Sequence, residues 1–300
     1  MFNSNQKEQV GCIMHFKHFL LALFVVTAWG VNLTVIEVGL GNTPPIFLTF
    51  SRFFLTCIPL IFFVKKPQIS WKAIITYGLI MFAIQQFALI SGIHAGVTPA
   101  LAGILVQAQV FFTGLIAWLF FKEKIRSWQI IGGLFAFSGI AMIGIKMQGS
   151  ATVLGFLLVV GSSFAWSIGN ALTRQMRIAN PLGLVVYGSL IAWPPLLLLS
   201  YFLEGPDKIF HVLQNLNMAA VATFLFLSYV TILLTWMGWS FLIEKYSLIS
   251  VAPFSLLMPI ISMITAFLFL HEPLPSWKLI AGALVLFGLI IELTGKKLFP

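Results

Sequence analysis

The sequence predicts an all-α polytopic membrane protein, with ten transmembrane helices arranged as two inverted five-helix repeats. Three observations carry this reading: the chain is too apolar for water, its lysines and arginines fall on alternate loops, and one block of sequence occurs twice. Of its 300 residues 60% are hydrophobic and 8% charged, with a mean hydropathy of +1.02. Soluble domains run at about 45–50% apolar and about 25% charged. The 30 Phe and 9 Trp can face lipid without cost but would aggregate in water.

A spanning helix needs about 20 mainly apolar residues. Breaking the chain at its charged and Gly/Pro-rich points gives ten such segments, at 18–37, 44–64, 72–93, 98–121, 127–146, 152–173, 182–203, 218–241, 248–270 and 275–294. The first follows Lys17-His18 and resembles a signal peptide, but no A-x-A-like cleavage site follows it, so a retained helix is expected. With both termini in the cytoplasm, that side receives Lys7, Lys17, Lys65, Lys66, Lys72, Lys122, Lys124, Arg126, Arg174, Arg177, Lys245, Lys296 and Lys297. The other side receives Lys146, Lys208 and Lys278. Thirteen against three is a strong positive-inside bias, which a nine- or eleven-span count would scramble.

The net charge of +9 is therefore topological, because clustered basic residues for nucleic acid are missing. Cys12 and Cys57 are far apart and suggest neither a disulfide nor a zinc site.

The segment FFKEKIRSWQIIGGLFAFSG (120–139) aligns without a gap to FLHEPLPSWKLIAGALVLFG (269–288). Glu123/Glu272, Ser127/Ser276, Trp128/Trp277, Gly133/Gly282 and Gly139/Gly288 fall in register. The first helix of each half agrees more loosely, with Ala28-Trp29-Gly30-Val31-Asn32 against Ala165-Trp166-Ser167-Ile168-Gly169-Asn170. The halves are 1–148 and 149–300. Five spans is an odd number, so the second half enters the membrane from the opposite side. Inverted repeats of this kind characterise secondary transporters, which rock around a site near the bilayer midplane.

At these residues the chain resembles the EamA-type branch of the drug/metabolite transporter superfamily, over about 19–294. The marks are the AWG-x-N opening, Pro44-Pro45, Ser51-Arg52-Phe53 and the twin E-x3-SW-x4-G blocks. Leu105–Thr113 and Val251–Pro259 look like the bacterial O-acetylserine/cysteine exporters within that branch. The resemblance implies inner-membrane efflux of cysteine-pathway metabolites, through a cavity built from the first, third, fourth, sixth, eighth and ninth helices. It implies a small-molecule substrate, with the lipid bilayer as surroundings; no nucleic acid, cofactor or metal is expected, and a monomer is an open option for the unit.

Polar side chains inside spans normally face a cavity or a neighbouring helix. Arg52 lies about 12 Å inside its helix from Pro44. It reads either as a cation for a substrate carboxylate or outer gate, or as half of a structural ion pair, with Glu37 the nearest acidic candidate. Trp29 with Asn32, and Trp166 with Asn170, each share a helix face and could flank one central site, or could bond across helix interfaces. Gln85, Gln86, Gln107 and Gln109 concentrate four amides in apolar spans. Gln107 and Gln109 are about 200° apart and cannot face the same spot. Tyr229, Trp236 and Ser240 form one stripe of the eighth helix, while Trp239 reads as an interfacial belt residue. His94, near the outer end of the third helix, could serve proton coupling or simply sit in the interface. Pro99, Pro253 and Pro259 within spans leave carbonyls unpaired.

No P-loop, HExxH or G-x-S-x-G pattern occurs, so neither ATP-driven transport nor common hydrolysis is supported, and no enzyme is expected. Export of other amino acids or drug-like compounds, and a lipid-handling membrane enzyme, are the alternatives. The enzyme would need clustered His or acidic residues at one interface, and the sequence offers scattered ones.

Overall fold

A computed structural model of the chain describes residues 14–122, 126–147, 152–176, 180–246 and 251–298. Lys7, Cys12, Glu123, Lys124, Arg177 and the expected boundary at 148/149 lie outside them, and for Arg174, Pro253, Lys296 and Lys297 the backbone alone is described. The described residues form helices and connecting turns throughout.

Among the described residues, nine helices are long and apolar enough to cross a membrane: Phe16–Leu40, Pro45–Phe62, Trp71–His94, Pro99–Phe121, Ser127–Lys146, Val153–Thr173, Pro181–Leu203, Met218–Ile243 and Ser276–Gly295. A shorter apolar helix, Phe254–Leu270, lies between the last two and completes ten. They are called the first to tenth spans below. Proline opens the second, fourth and seventh, where its fixed φ suits the first turn and its missing N–H would be unpaired in any case. Asn180 caps the seventh by accepting from the Gly183 N–H at 2.9 Å.

Two spans depart from the expected unbroken helices. The second is α-helical only to Cys57 and finishes in a tight turn at Leu60–Phe62, because Pro59 supplies no N–H. The ninth opens as a 3-10 segment, Ala252–Leu256, before the α-helix begins at Leu257. Pro259 has no N–H to donate to the Ser255 carbonyl four residues back, and that carbonyl accepts from Gln107 Nε2 at 3.5 Å.

The two halves share these irregularities. The third and eighth spans each pass through a π-helical stretch, Gly78–Ile84 and Phe226–Leu234, at equivalent places in the two halves. The fourth and ninth both end on a non-glycine residue in the left-handed region, Lys122 at φ 57° and His271 at φ 53°.

Close glycine packing fixes the relation between the halves. A Cβ on Gly132 of the fifth span would stand 2.7 Å from the Gly288 carbonyl of the tenth, and one on Gly139 would stand 2.7 Å from that of Ala281. Positions rise along one helix as they fall along the other, so the two spans run antiparallel. The gapless alignment pairs 132 with 281 and 139 with 288, so each contact is the symmetry mate of the other, as a two-fold interface requires. The remaining spans pair across the halves in the same sense: third with sixth and eighth with first, fourth with sixth and ninth with first, second with seventh. The inverted repeat is thus present in the packing.

One element was not foreseen, a short helix at Pro206–Gln214 between the seventh and eighth spans. Ile209 and Val212 bury its inner side against the bundle. Glu204, just before it, accepts from the N–H groups of Ile46 at 2.6 Å and Phe47 at 3.0 Å. That carboxylate caps the second span, where it opposes the positive end of the helix dipole.

Because the neighbour of Gly132 is backbone rather than a movable side chain, Gly132→Leu should destabilise the protein by about 1–3 kcal/mol through overpacking. Thermal unfolding in detergent reads this as a lower midpoint, and an unchanged midpoint would contradict the packing described.

Candidate functional site

The spans converge on a cavity in the middle of the bundle, and the residues lining it come from both halves. The first, third, fourth, sixth, eighth and ninth spans contribute, as the resemblance implied, and the second adds Arg52 and Phe53. Three tryptophans, Trp29, Trp166 and Trp236, stand around it. The space open to the centres of water molecules is about 30 Å³, enough for one or two waters and too small for an amino acid.

Arg52 dominates the site's chemistry. Its side chain is 2% exposed. Nη1 donates to Gln86 Oε1 at 2.9 Å, and Nη2 donates to Asn32 Oδ1 at 3.1 Å and Thr231 Oγ1 at 3.2 Å. These acceptors come from three different spans, and all are neutral. The Nε–H, also buried, has no hydrogen-bond partner.

The expected Arg52–Glu37 pair is not formed, and among the described residues no carboxylate pairs with Arg52. Asn32 meets the guanidinium, and Glu37 lies five residues further along the same helix. That displacement is about 7.5 Å along the axis and about 140° around it, which puts the carboxylate on another side. Glu37 is half-buried there.

The other predicted residues separate into two groups. Trp29, Asn32, Trp166 and Trp236 line the cavity. Trp29 also donates from Nε1 to Thr235 Oγ1 at 2.9 Å, and its ring lies 5.1 Å from that of Trp239. Trp239 thus packs inward rather than standing in an aromatic belt.

Gln85, Gln107, Gln109, Asn170, Tyr229 and His94 do not line the cavity. Gln85 is fully buried with both amide atoms unpartnered, while its neighbour Gln86 faces the cavity, about 100° around the helix. Gln107 Nε2 donates to the Ser255 carbonyl of the ninth span. Asn170 Nδ2 donates to Gln109 Oε1 at 3.0 Å and to Thr113 Oγ1 at 3.2 Å, a polar link between the fourth and sixth spans. Tyr229 donates to the Ile58 carbonyl at 3.4 Å, and His94 is exposed at the end of its span.

Thr231 and Gln86 are the polar cavity residues that sequence reasoning did not single out as site residues. A mid-span threonine usually bonds its own backbone, as Thr231 does to the Leu227 carbonyl at 2.8 Å, so nothing in the sequence marks its second role.

Side-chain contacts join spans at both ends of the bundle. At the end holding Phe16, the Tyr246 hydroxyl accepts from the His15 N–H at 3.2 Å and bonds His18 Nδ1 at 2.6 Å, joining the first and eighth spans. At the other end Thr34 and Thr265 hydroxyls meet at 2.8 Å. There Glu272 pairs with Lys278 at 2.8 Å, and its second oxygen accepts the Ala100 N–H at 3.3 Å. Glu272 is 6% and Lys278 4% exposed, so this ion pair is nearly dry.

Breaking a buried pair from one side leaves an uncompensated charge. Lys278→Met should cost about 3–5 kcal/mol, and adding Glu272→Gln to it should restore most of the loss. Thermal midpoints of the single and double variants check this, and a double variant no better than the single would contradict it.

Comparison with known proteins follows the same lines. The chain matches the EamA-like transporter family over residues 17–145 and 153–294. It is 35% identical over 286 residues to a probable amino-acid metabolite efflux pump of Salmonella typhimurium, covering 93% of this chain and 95% of that one. It is 32% identical over 287 residues to a protein of the same description from Escherichia coli, covering 94% and 96%. An uncharacterized inner membrane transporter of Escherichia coli is 22% identical, with 94% and 91% covered. A crystal structure at 18% identity aligns with a TM-score of 0.64 over 96% of this chain and 100% of that one, a likeness of fold. The chain belongs to the EamA-like transporter family.

Proposed function

We propose that this transporter exports small amino-acid-type metabolites, of the cysteine and O-acetylserine kind, from the cytoplasm across the inner membrane by alternating access. The observation that carries the reading is Arg52, a buried guanidinium with neutral partners only, facing a cavity that both halves build. A carboxylate is the group such a site lacks, and every amino-acid metabolite with a free acid offers one. The names of the two relatives that share about a third of its residues support export of that class. The lysine and arginine distribution supports cytoplasmic termini.

The halves 1–148 and 149–300 serve as the two moving units. In one state the Tyr246 and His18 contact holds the cytoplasmic end closed, and in the other the Thr34–Thr265 contact and its neighbours hold the outer end. The gradient of the substrate itself is a sufficient driving force. Trp29, Trp166 and Trp236 give the substrate an apolar enclosure that excludes water and strengthens the charge contact.

Cells overproducing the protein should excrete more cysteine or O-acetylserine than controls. Arg52→Gln, which removes the charge but keeps a polar side chain, should cut that export by about 30-fold or more, since losing one partner of a buried charge contact costs about 2–5 kcal/mol. Excretion is measured beside membrane abundance of each variant. Unchanged excretion by the wild-type protein sinks the substrate, and full activity of Arg52→Gln sinks the anchor.

A further inference from the structure

We propose that the groove between the first and eighth spans holds an acyl chain of an anionic phospholipid, whose phosphate lies against Lys17. The lipid is then a bound partner of the transporter, and it braces the segment that carries Thr231.

This groove lies on the outside of the bundle, apart from the central cavity. Leu20, Phe24, Thr27 and Val31 of the first span form its long wall, and Phe226 and Val230 of the eighth close it. The first-span positions are spaced by three and four residues, so they fall in one stripe along the helix. The space that the centres of water-sized spheres can reach is about 320 Å³, against about 30 Å³ in the central cavity. Every lining residue except Thr27 is apolar, and all lie within spans, so what fills the groove is a molecule of the bilayer.

Length and charge select the part of a lipid that fits. Leu20 to Val31 is a step of 11 residues, about 16 Å of helix. One leaflet is half of a hydrocarbon core about 30 Å thick. The groove thus has the depth of a single acyl chain that enters from the Phe16 end. A chain lying in it touches two spans, where a chain on a convex face touches one, and each added contact contributes dispersion attraction. Lys17, three residues before Leu20, continues the stripe at the headgroup level and is exposed. Lys245 is exposed at the same end, with its Nζ 5.6 Å from the centre of the Phe241 ring and next to Tyr246, which bonds His18. An ammonium held there attracts a lipid phosphate while its stem lies along the apolar chain.

The groove also backs onto the central cavity. Ala28 and Val31 line the groove while their neighbours Trp29 and Asn32 line the cavity, and on the eighth span Val230 and Thr231 divide in the same way. Phe226, Val230 and Thr231 all belong to the π-helical stretch Phe226–Leu234. A chain in the groove therefore packs the outer side of the segment whose inner side meets Arg52.

The test uses the purified protein in detergent micelles with phosphatidylglycerol that carries a diazirine in its acyl chain. After illumination, labelled positions are mapped by peptide mass spectrometry. Labelling should concentrate within 20–31 and 226–230, and unlabelled phosphatidylglycerol should compete at about fivefold lower concentration than phosphatidylcholine, the scale of one lysine at an anionic headgroup. Lys17→Gln should remove that difference. Thr27→Trp, which fills the groove, should abolish labelling there and leave that of the exposed face at Leu134 and Phe137 unchanged. Should Thr27→Trp fail to fold, the wild-type map and Lys17→Gln, a change at an exposed side chain, decide the matter. Labelling spread evenly over the groove and other exposed faces overturns the inference, as does equal competition by the two lipids. Protection of the groove in a chain that runs as a dimer assigns it to a second copy and overturns the lipid.

Discussion

The arrangement depends on one buried positive charge. Placing an arginine at the centre of a spanning helix costs about 2.5–3.5 kcal/mol on insertion scales, and the cost is recovered only where the bundle surrounds the side chain with acceptors. Arg52 finds three, on the first, third and eighth spans. It therefore draws together segments from both halves of the chain, and the place where they meet is the cavity. A carboxylate of the protein would have met the need more completely. Its absence from the lining leaves the charge available to a carboxylate that arrives from outside.

The symmetry of the fold gives that charge its setting. The fifth and tenth spans meet through small residues, backbone against backbone, and act as a fixed antiparallel seam. The third and eighth, which carry Gln86 and Thr231, are the ones interrupted by π-helical turns, and such turns widen a helix and free its carbonyls. The rigid contacts lie at the edge of the bundle and the irregular ones at its centre. Hydrogen bonds between side chains join spans at both ends, and the cavity between them has room for water alone.

Much of this was legible in the sequence, and the reason is that lipid imposes a long apolar run on every span. The span count, the duplicated block and the inverted relation followed from hydropathy, charge and register. Arg52 stood out because charge in a span is rare, and Trp29, Asn32, Trp166 and Trp236 because they recur or share a helix face. The failures have a common cause in local geometry. Gln85 and Gln86 are adjacent, and the π-helical stretch that ends at Ile84 shifts the helical phase just before them, so a count at 100° per residue could not choose between them. Gln107 bonds the Ser255 carbonyl, a contact between residues distant in the chain. Asn170 repeats Asn32 in sequence, yet it bonds Gln109 and Thr113, because the second half offers no arginine at the matching place. Glu37 was nearest to Arg52 in charge but not in direction.

The central claim is that the Arg52 guanidinium receives the substrate carboxylate. The most direct test is nitrogen NMR of 15N-arginine-labelled protein in detergent or nanodiscs, with the Arg52 Nε signal assigned through Arg52→Lys and followed as O-acetylserine is added. The account predicts a saturable shift of that signal alone among the arginines, as its unpartnered N–H gains an acceptor. Transport of the same carboxylate with the Arg52 signal unmoved at saturation would contradict it.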